Sequence, residues 1–362
     1  MVQRAGGRIW GLHRGSCVRH SGEAGLGPGD SALGFEVKLF DDLDALAADS
    51  GVALGRQPSL FDRIEWFRLV AAHCPPPGRP LIARARDGDG SAAWLFLAEQ
   101  GGRAQALRCW YSLRFGLVGR SEGAEAIARS LGKRLSRLEI APLEDPEPLA
   151  EAFRRSGWAT FVAPATISWR IDTAGQDFET YWATRPGKLR NTAQRKAKAA
   201  GLDIEIHRAF DPSAWAAYEE VYAASWKPEE GSPSFLRALA EQEGEAGRLR
   251  LGVARKEGRP LAAQLWTIEN CTAWIHKLAY REDSKALSPG TVLSMAMFRA
   301  ALDEDRVSRI DYGTGDDGYK RDWMGERATL WRLEAFNLAS PRGLAGAARA
   351  GLSALVHRAR SR

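Results

Sequence analysis

Two stretches of this chain, about 170 residues apart, carry the same landmarks in the same order, and a duplicated unit is the strongest constraint on its fold. PLIARARDGDGSAAWLFLAEQ reads as a strand, a glycine turn and a strand, and so does LRLGVARKEGRPLAAQLWTIE. Ala92-Ala93-Trp94-Leu95-Phe96 in the first matches Ala262-Ala263-Gln264-Leu265-Trp266 in the second. Trp110-Tyr111 then meets Ala279-Tyr280, and the helix before Arg137-Leu138-Glu139-Ile140 meets the helix before Arg309-Ile310-Asp311-Tyr312. The sequence therefore predicts an α/β chain with mixed sheet, built from two copies of one unit over residues 34–164 and 165–338.

Length and composition agree with that reading. A chain of 362 residues with 44% hydrophobic residues and 13 Trp can bury two ordinary cores. Its net charge of +6 suits an anionic small ligand as well as a nucleic acid. Four cysteines stand far apart without a CxxC, so neither a zinc site nor a disulfide framework is expected, and the bland expectation is free thiols. Residues 1–33, rich in Gly, Arg and Ser, read as a disordered extension or as the product of a start codon assigned too early, with no apolar run of a signal peptide. No segment has the apolar length of a membrane span, and a cytoplasmic location is expected.

Between these landmarks the periodicity predicts helices at DDLDALAA, with Asp41 as its cap, at SLFDRIEWFRLVAAH, SEGAEAIARSLGKRL and PEPLAEAFRRSGW. Residues 339–362, PRGLAGAARAGLSALVHRARSR, read as a basic amphipathic helix.

The copies differ where chemistry would sit. The first has YSLRFGLVG where the second has YREDSKALSPGTVL, and Ala141-Pro142-Leu143-Glu144-Asp145 where the second has Gly313-Thr314-Gly315-Asp316-Asp317. Ser288 is expected to cap the helix of SPGTVLSMAMFRAAL, with Pro289 in its first turn and Gly290 admitting a ligand to the backbone. Such a helix start can receive phosphate, although Ser-Pro-Gly starts are common without it. In RIDYGTGDDGYK, Asp311, Asp316 and Asp317 could take a proton from an amine. Tyr319 could protonate a leaving group, and Lys320 could stabilise an oxyanion. The plainer reading makes the aspartates turn formers and Lys320 a surface charge. A third stretch, RPGKLRNTAQRKAKAAG, crowds Lys188, Arg190, Arg195, Lys196 and Lys198 on one helix, which suits a solvated face or the wall of an anion site better than RNA. His276, mid-strand, reads as a satisfied core histidine, and Trp266 and Trp274 as core.

Taken together, RPGKLRNTAQRKAKAAG, LRLGVARKEGRPLAAQLWTIENCTAWIHKLAYREDSKALSPGTVL and RIDYGTGDDGYKRDW resemble the GNAT-type acyltransferase domain of the CelD-like group. That group is associated with cellulose or exopolysaccharide biosynthesis and related to Fem-type aminoacyltransferases. The resemblance is good over 165–337 and looser over 34–164. It implies tandem GNAT-like domains, the first degenerate, and transfer of an acyl group from a CoA thioester to an amine, with no metal. By position it implies a donor pyrophosphate site at Ser288, Pro289, Gly290 and Thr291, a place for Lys320 near the reacting carbonyl, and acceptor contacts at Tyr222, Trp226 and Lys227. The chemistry of the residues themselves adds Tyr280 to the donor site, Tyr319, Asp311 and Asp316 to the reacting groups, and Lys188 and Arg190 to the substrate contacts. The chain lacks the usual GNAT phosphate loop, and SPGT stands in its place. An aminoacyl-tRNA donor, as in the Fem branch, and a non-catalytic binding subunit are the alternatives.

Overall fold

The computed structural model describes residues 34–360, with side chains through residue 353. The reading of residues 1–33 lies outside them. The first half runs β1 (Glu36–Phe40), α1 (Leu43–Gly55), α2 (Ile64–His73), β2 (Arg79–Arg86), β3 (Ala92–Gln100) and β4 (Arg103–Ala106). It continues with β5 (Val118–Gly119), α3 (Ala124–Gly132), β6 (Arg137–Leu143), α4 (Glu147–Arg155) and β7 (Trp158–Asp172). The second half holds α5 (Phe178–Ala183), α6 (Gly187–Ala200), β8 (Asp203–His207), α7 (Pro212–Ala223) and α8 (Pro233–Glu245). Then come β9 (Leu249–Lys256), β10 (Arg259–Glu269), β11 (Thr272–Tyr280), α9 (Pro289–Arg299), β12 (Arg309–Thr314), α10 (Lys320–Trp323), β13 (Glu326–Asn337) and α11 (Pro341–Arg360).

All the strands join one mixed sheet, in the order β1-β2-β3-β4-β6-β13-β7-β12-β11-β10-β9-β8, with β5 on the edge of β3. The order is a mirror list. In each half an antiparallel meander (β1 to β4, β8 to β11) is followed by a strand parallel to its last member, β6 beside β4 and β12 beside β11. The halves exchange their final strands: β7, which ends the first, pairs with β12, and β13, which ends the second, pairs with β6. β7 and β13 also pair with each other from Trp158↔Asn337 to Arg170↔Glu326. The expected boundary between residues 164 and 165 thus falls inside β7.

β3 and β10 are buried along nearly their whole length, which is why both read as continuous apolar runs rather than alternating ones. One core spans both halves, carrying Phe61, Trp66 and Phe96 beside Trp215, Phe235 and Trp274. A second holds Tyr181, Trp182, Trp266, Phe298 and Trp323. The halves are also joined by buried charge: Arg63 bonds Glu269 and lies 3.5 Å from Glu243, which Arg248 grips through two nitrogens at 2.6 and 3.0 Å.

Two local expectations are corrected. The cap of α1 is Asp42, not Asp41; its carboxylate accepts from Ala45 N at 2.6 Å, three residues on, where the first free N–H groups of the helix point. Cys74 and Cys109 are free thiols, but Cys271 is disulfide-bonded, which spacing alone does not reveal.

Candidate active site

The site begins where two parallel strands stop pairing. β11 and β12 are in register only at Thr272↔Arg309, Ala273↔Ile310 and Trp274↔Asp311. β11 then runs on to Tyr280 and β12 to Thr314, so the sheet opens between them. α9 starts beyond the end of β11, and the turn Gly315–Tyr319 follows the end of β12.

The turn is tightly tied. Gly313 and Gly315 have φ of 68° and 108°, conformations a side chain would strain. Lys320 is buried, and its ammonium donates to Thr314 O at 2.8 Å and Gly315 O at 3.2 Å while lying 3.3 Å from Asp317 Oδ2. Desolvation pushes its pKa below the ordinary lysine value. Asp311 is also buried, and accepts from Ser168 Oγ at 2.8 Å and Gly313 N at 2.7 Å. Burial raises its carboxyl to about 6. Asp316 is spent elsewhere: it takes a bidentate grip from Arg327, closest at 2.5 Å, and a bond from Trp169 Nε1 at 3.1 Å. Arg327 holds that carboxylate below its usual range. Tyr319 is 43% exposed, edge-on to the buried Tyr312 ring at 5.7 Å. Partial burial, and then Asp317, raise its hydroxyl.

On the donor side, Ser288 corrects its expected role. Its φ is 53°, it closes a 3-10 turn over Glu282–Leu287, and its hydroxyl makes no cap bond. A left-handed backbone turns the side chain away from the N–H groups it would otherwise meet. No side chain among the described residues caps the helix start, and Gly290 is so close to Tyr280 that an added Cβ would lie 3.0 Å from its ring. The Trp226 ring lies against Tyr280 at 4.3 Å, tilted by 40°. α9 is covered on most sides, as its apolar sequence requires, and α6 packs along it. Lys196 of α6 donates to Ala286 O at 2.5 Å, two residues before Ser288. Lys188, Arg190, Arg195 and Lys198 of that helix have no ion-pair partner among the described residues.

A cavity of about 490 Å³ opens beside α7, lined by Trp215, Tyr218, Tyr222, Lys227, Glu230 and Leu236 among others. Two of its lining groups are buried and unpartnered, the Tyr218 hydroxyl and Trp215 Nε1. At one end Glu230 accepts from Tyr111 Oη at 2.5 Å and from Lys277 Nζ at 2.9 Å, and Lys277 lies 4.9 and 5.5 Å from the Tyr111 and Tyr222 rings. Desolvation, helped by Lys277, lowers Lys227 to about 8.

Of the predicted substrate residues, Tyr222 and Lys227 line this cavity and Trp226 stands next in chain to Lys227 on Tyr280. Lys188 and Arg190 lie on α6 and do not line it. Tyr111, Tyr218, Glu230 and Lys277 were not foreseen. Tyr111 comes from the first half, in the same loop as Leu113, which would touch a Cβ at Gly313 at 3.0 Å. The repeat register aligns Tyr111 with Tyr280; Tyr111 bonds Glu230, and Tyr280 lies against Trp226. His276 bonds Thr267 Oγ1 at 2.9 Å and burial lowers it to about 4, so it is a neutral histidine, but not the fully satisfied one expected, since its buried Nδ1 has no partner among the described residues.

Residues 187–321 match the acetyltransferase (GNAT) domain family. No curated protein matches the sequence. Among solved structures, FemX superposes with a TM-score of 0.57 at 8% identity, over 80% of this chain and 95% of that one. A conserved protein of unknown function from Bacteroides thetaiotaomicron superposes with a TM-score of 0.52 at 13% identity, over 83% and 100%. With the GNAT match in the second half and its strand plan repeated in the first, the chain has a mixed α/β fold of two GNAT-like units that share one sheet.

Proposed function

We propose that the protein is an N-acyltransferase that moves an acyl group from a CoA thioester to an amine acceptor. The observation that carries this is the opening between β11 and β12, because a thioester laid there would have α9 on one side and the Gly315–Lys320 turn on the other. The uncapped start of α9 and the unpaired cations of α6 suit the phosphates of such a donor. The amine would enter from the cavity of Tyr222, Lys227 and Glu230. It attacks the carbonyl carbon, the C–S bond breaks, and the thiolate takes a proton, for which the exposed Tyr319 is the nearest candidate donor in the turn. Lys227, lowered to about 8, is suited to receive the proton the amine gives up. Lys320, with its donors engaged, holds the turn in shape. The CelD-like resemblance favours an acceptor in polysaccharide or cell-envelope metabolism.

Calorimetric titration with CoA and acetyl-CoA, beside Thr291→Glu with an unchanged melting profile, tests the donor. Micromolar binding lost in the variant supports the reading, and absence of binding to the unmodified chain overturns it. The α6 cations also favour a second reading, an aminoacyl-tRNA donor, which copurified tRNA and no CoA binding would support.

A further inference from the structure

A second concavity, of about 750 Å³, runs along β13 beneath α11 and shares no lining residue with the cavity of Tyr218. Arg332, Glu334 and Phe336 of β13 lie beside Ala163 and Phe161 of β7, and Arg137 of β6 lies beside Arg103 of β4. α11 closes one flank with Arg342 and Arg349, seven residues apart and so on one helix face. The helix is seated closely by glycines: a Cβ at Gly346 would lie 2.5 Å from the Phe336 ring, and one at Gly343 2.0 Å from Asn337 O.

The lining carries five arginines, Arg103, Arg137, Arg332, Arg342 and Arg349, against the single carboxylate of Glu334. Glu334 is already taken by Arg137 at 2.5 Å, which also meets Glu139 at 3.1 Å. The other four have no ion pair among the described residues. Other arginines of the protein are paired, as Arg170 is with Glu326, Arg208 with Asp305 and Arg250 with Asp305, whereas Arg190 and Arg195 of α6 are not among the described residues. The Nε atoms of Arg137 and Arg332 are buried without an acceptor. Convergent guanidinium groups without counter-charges repel one another, and unbonded buried donors add to that cost. An anion with several oxygens relieves both, and the planar guanidinium fork matches phosphate.

We propose that this groove binds a phosphate-bearing anion through Arg103, Arg332, Arg342 and Arg349. The phosphate could belong to a soluble compound or to a lipid headgroup, since Leu344 and Leu352 stand exposed on α11 beside it. The test uses the full chain and two probes, inorganic pyrophosphate by calorimetry and phosphatidylglycerol vesicles by co-sedimentation. Each is repeated with Arg342→Ala/Arg349→Ala, whose side chains are exposed and unpaired, and with Arg332→Gln, all checked by thermal melting. Pyrophosphate binding weakened roughly ten-fold or more in both variants, and reduced by added salt, establishes a soluble ligand. Vesicle binding that is lost in the double variant, without a pyrophosphate response, establishes the headgroup. Neither probe binding, or binding equal in the parent and in variants that melt normally, overturns the proposal; the latter would move pyrophosphate to another site such as the start of α9.

Discussion

The ammonium of Lys320 donates to the carbonyl of Thr314 at 2.8 Å, so a lysine at the start of α10 clasps the end of the strand before it. With Gly315 O and Asp317 as its further partners, the group holds the turn rather than reaching across the opening. Lys320→Met keeps the apolar stem and removes the bonds to the half-buried carbonyls of Thr314 and Gly315, at about 0.5–1.5 kcal/mol for each. A fall in melting temperature together with a roughly ten-fold or greater loss of acyl transfer is expected. Loss of transfer with an unchanged melt would instead place the ammonium on the reacting carbonyl.

Asp311 gives a pH dependence with a defined sign. Burial raises its carboxyl from the ordinary 3.8 to about 6. Between those values the folded chain keeps a proton that the unfolded chain has released, so this group's contribution to stability falls as pH rises from about 4 to about 6. Asp311→Asn removes that contribution while keeping an acceptor for Ser168. The melting temperature of the parent should therefore drop more steeply than the variant's over that window, and parallel profiles would show that Asp311 does not titrate as described.

Tyr218 separates stability from binding. Its hydroxyl is buried, lines the cavity of about 490 Å³ and has no partner. Tyr218→Phe removes an unsatisfied polar group and should leave the melting temperature unchanged or higher. If the acceptor supplies the missing bond, KM for the amine should rise several-fold in the variant while kcat holds. An unaltered KM would take the acceptor out of this cavity.

How much of this was legible beforehand follows from the range of each interaction. The repeat, the meanders and the apolar character of α9 rest on local periodicity, which a sequence displays. The exchange of β7 and β13 does not, because each strand has the same pattern whichever half it joins. Within the site, the turn was visible through Gly313, Gly315 and the Tyr319-Lys320 pair. The bond from Trp169 to Asp316, and that from Tyr111 to Glu230, join residues 147 and 119 positions apart. Nothing local distinguishes those side chains from ordinary core aromatics. Ser288 shows the converse, since a common capping residue here adopts a left-handed backbone and caps nothing.

The buried network of Arg63, Glu243 and Glu269 ties the halves and should make the effect of its loss depend on pH. Arg63 comes from the first half, whereas Glu243 lies on α8 and Glu269 on β10. Burial already raises Glu269 to about 7, against the pull of Arg63. Arg63→Met removes that pull, so the carboxyl of the folded variant should release its proton only at higher pH. Where Glu269 is ionised, removing one partner of a buried pair costs about 3–5 kcal/mol. At pH 6 the variant can keep Glu269 neutral, and the penalty should shrink. Urea unfolding of parent and variant at pH 6 and pH 8.5 should show a wider gap at the higher pH, narrowed by adding Glu269→Gln. A gap that is equal at both values would mean that Glu269 does not couple to Arg63.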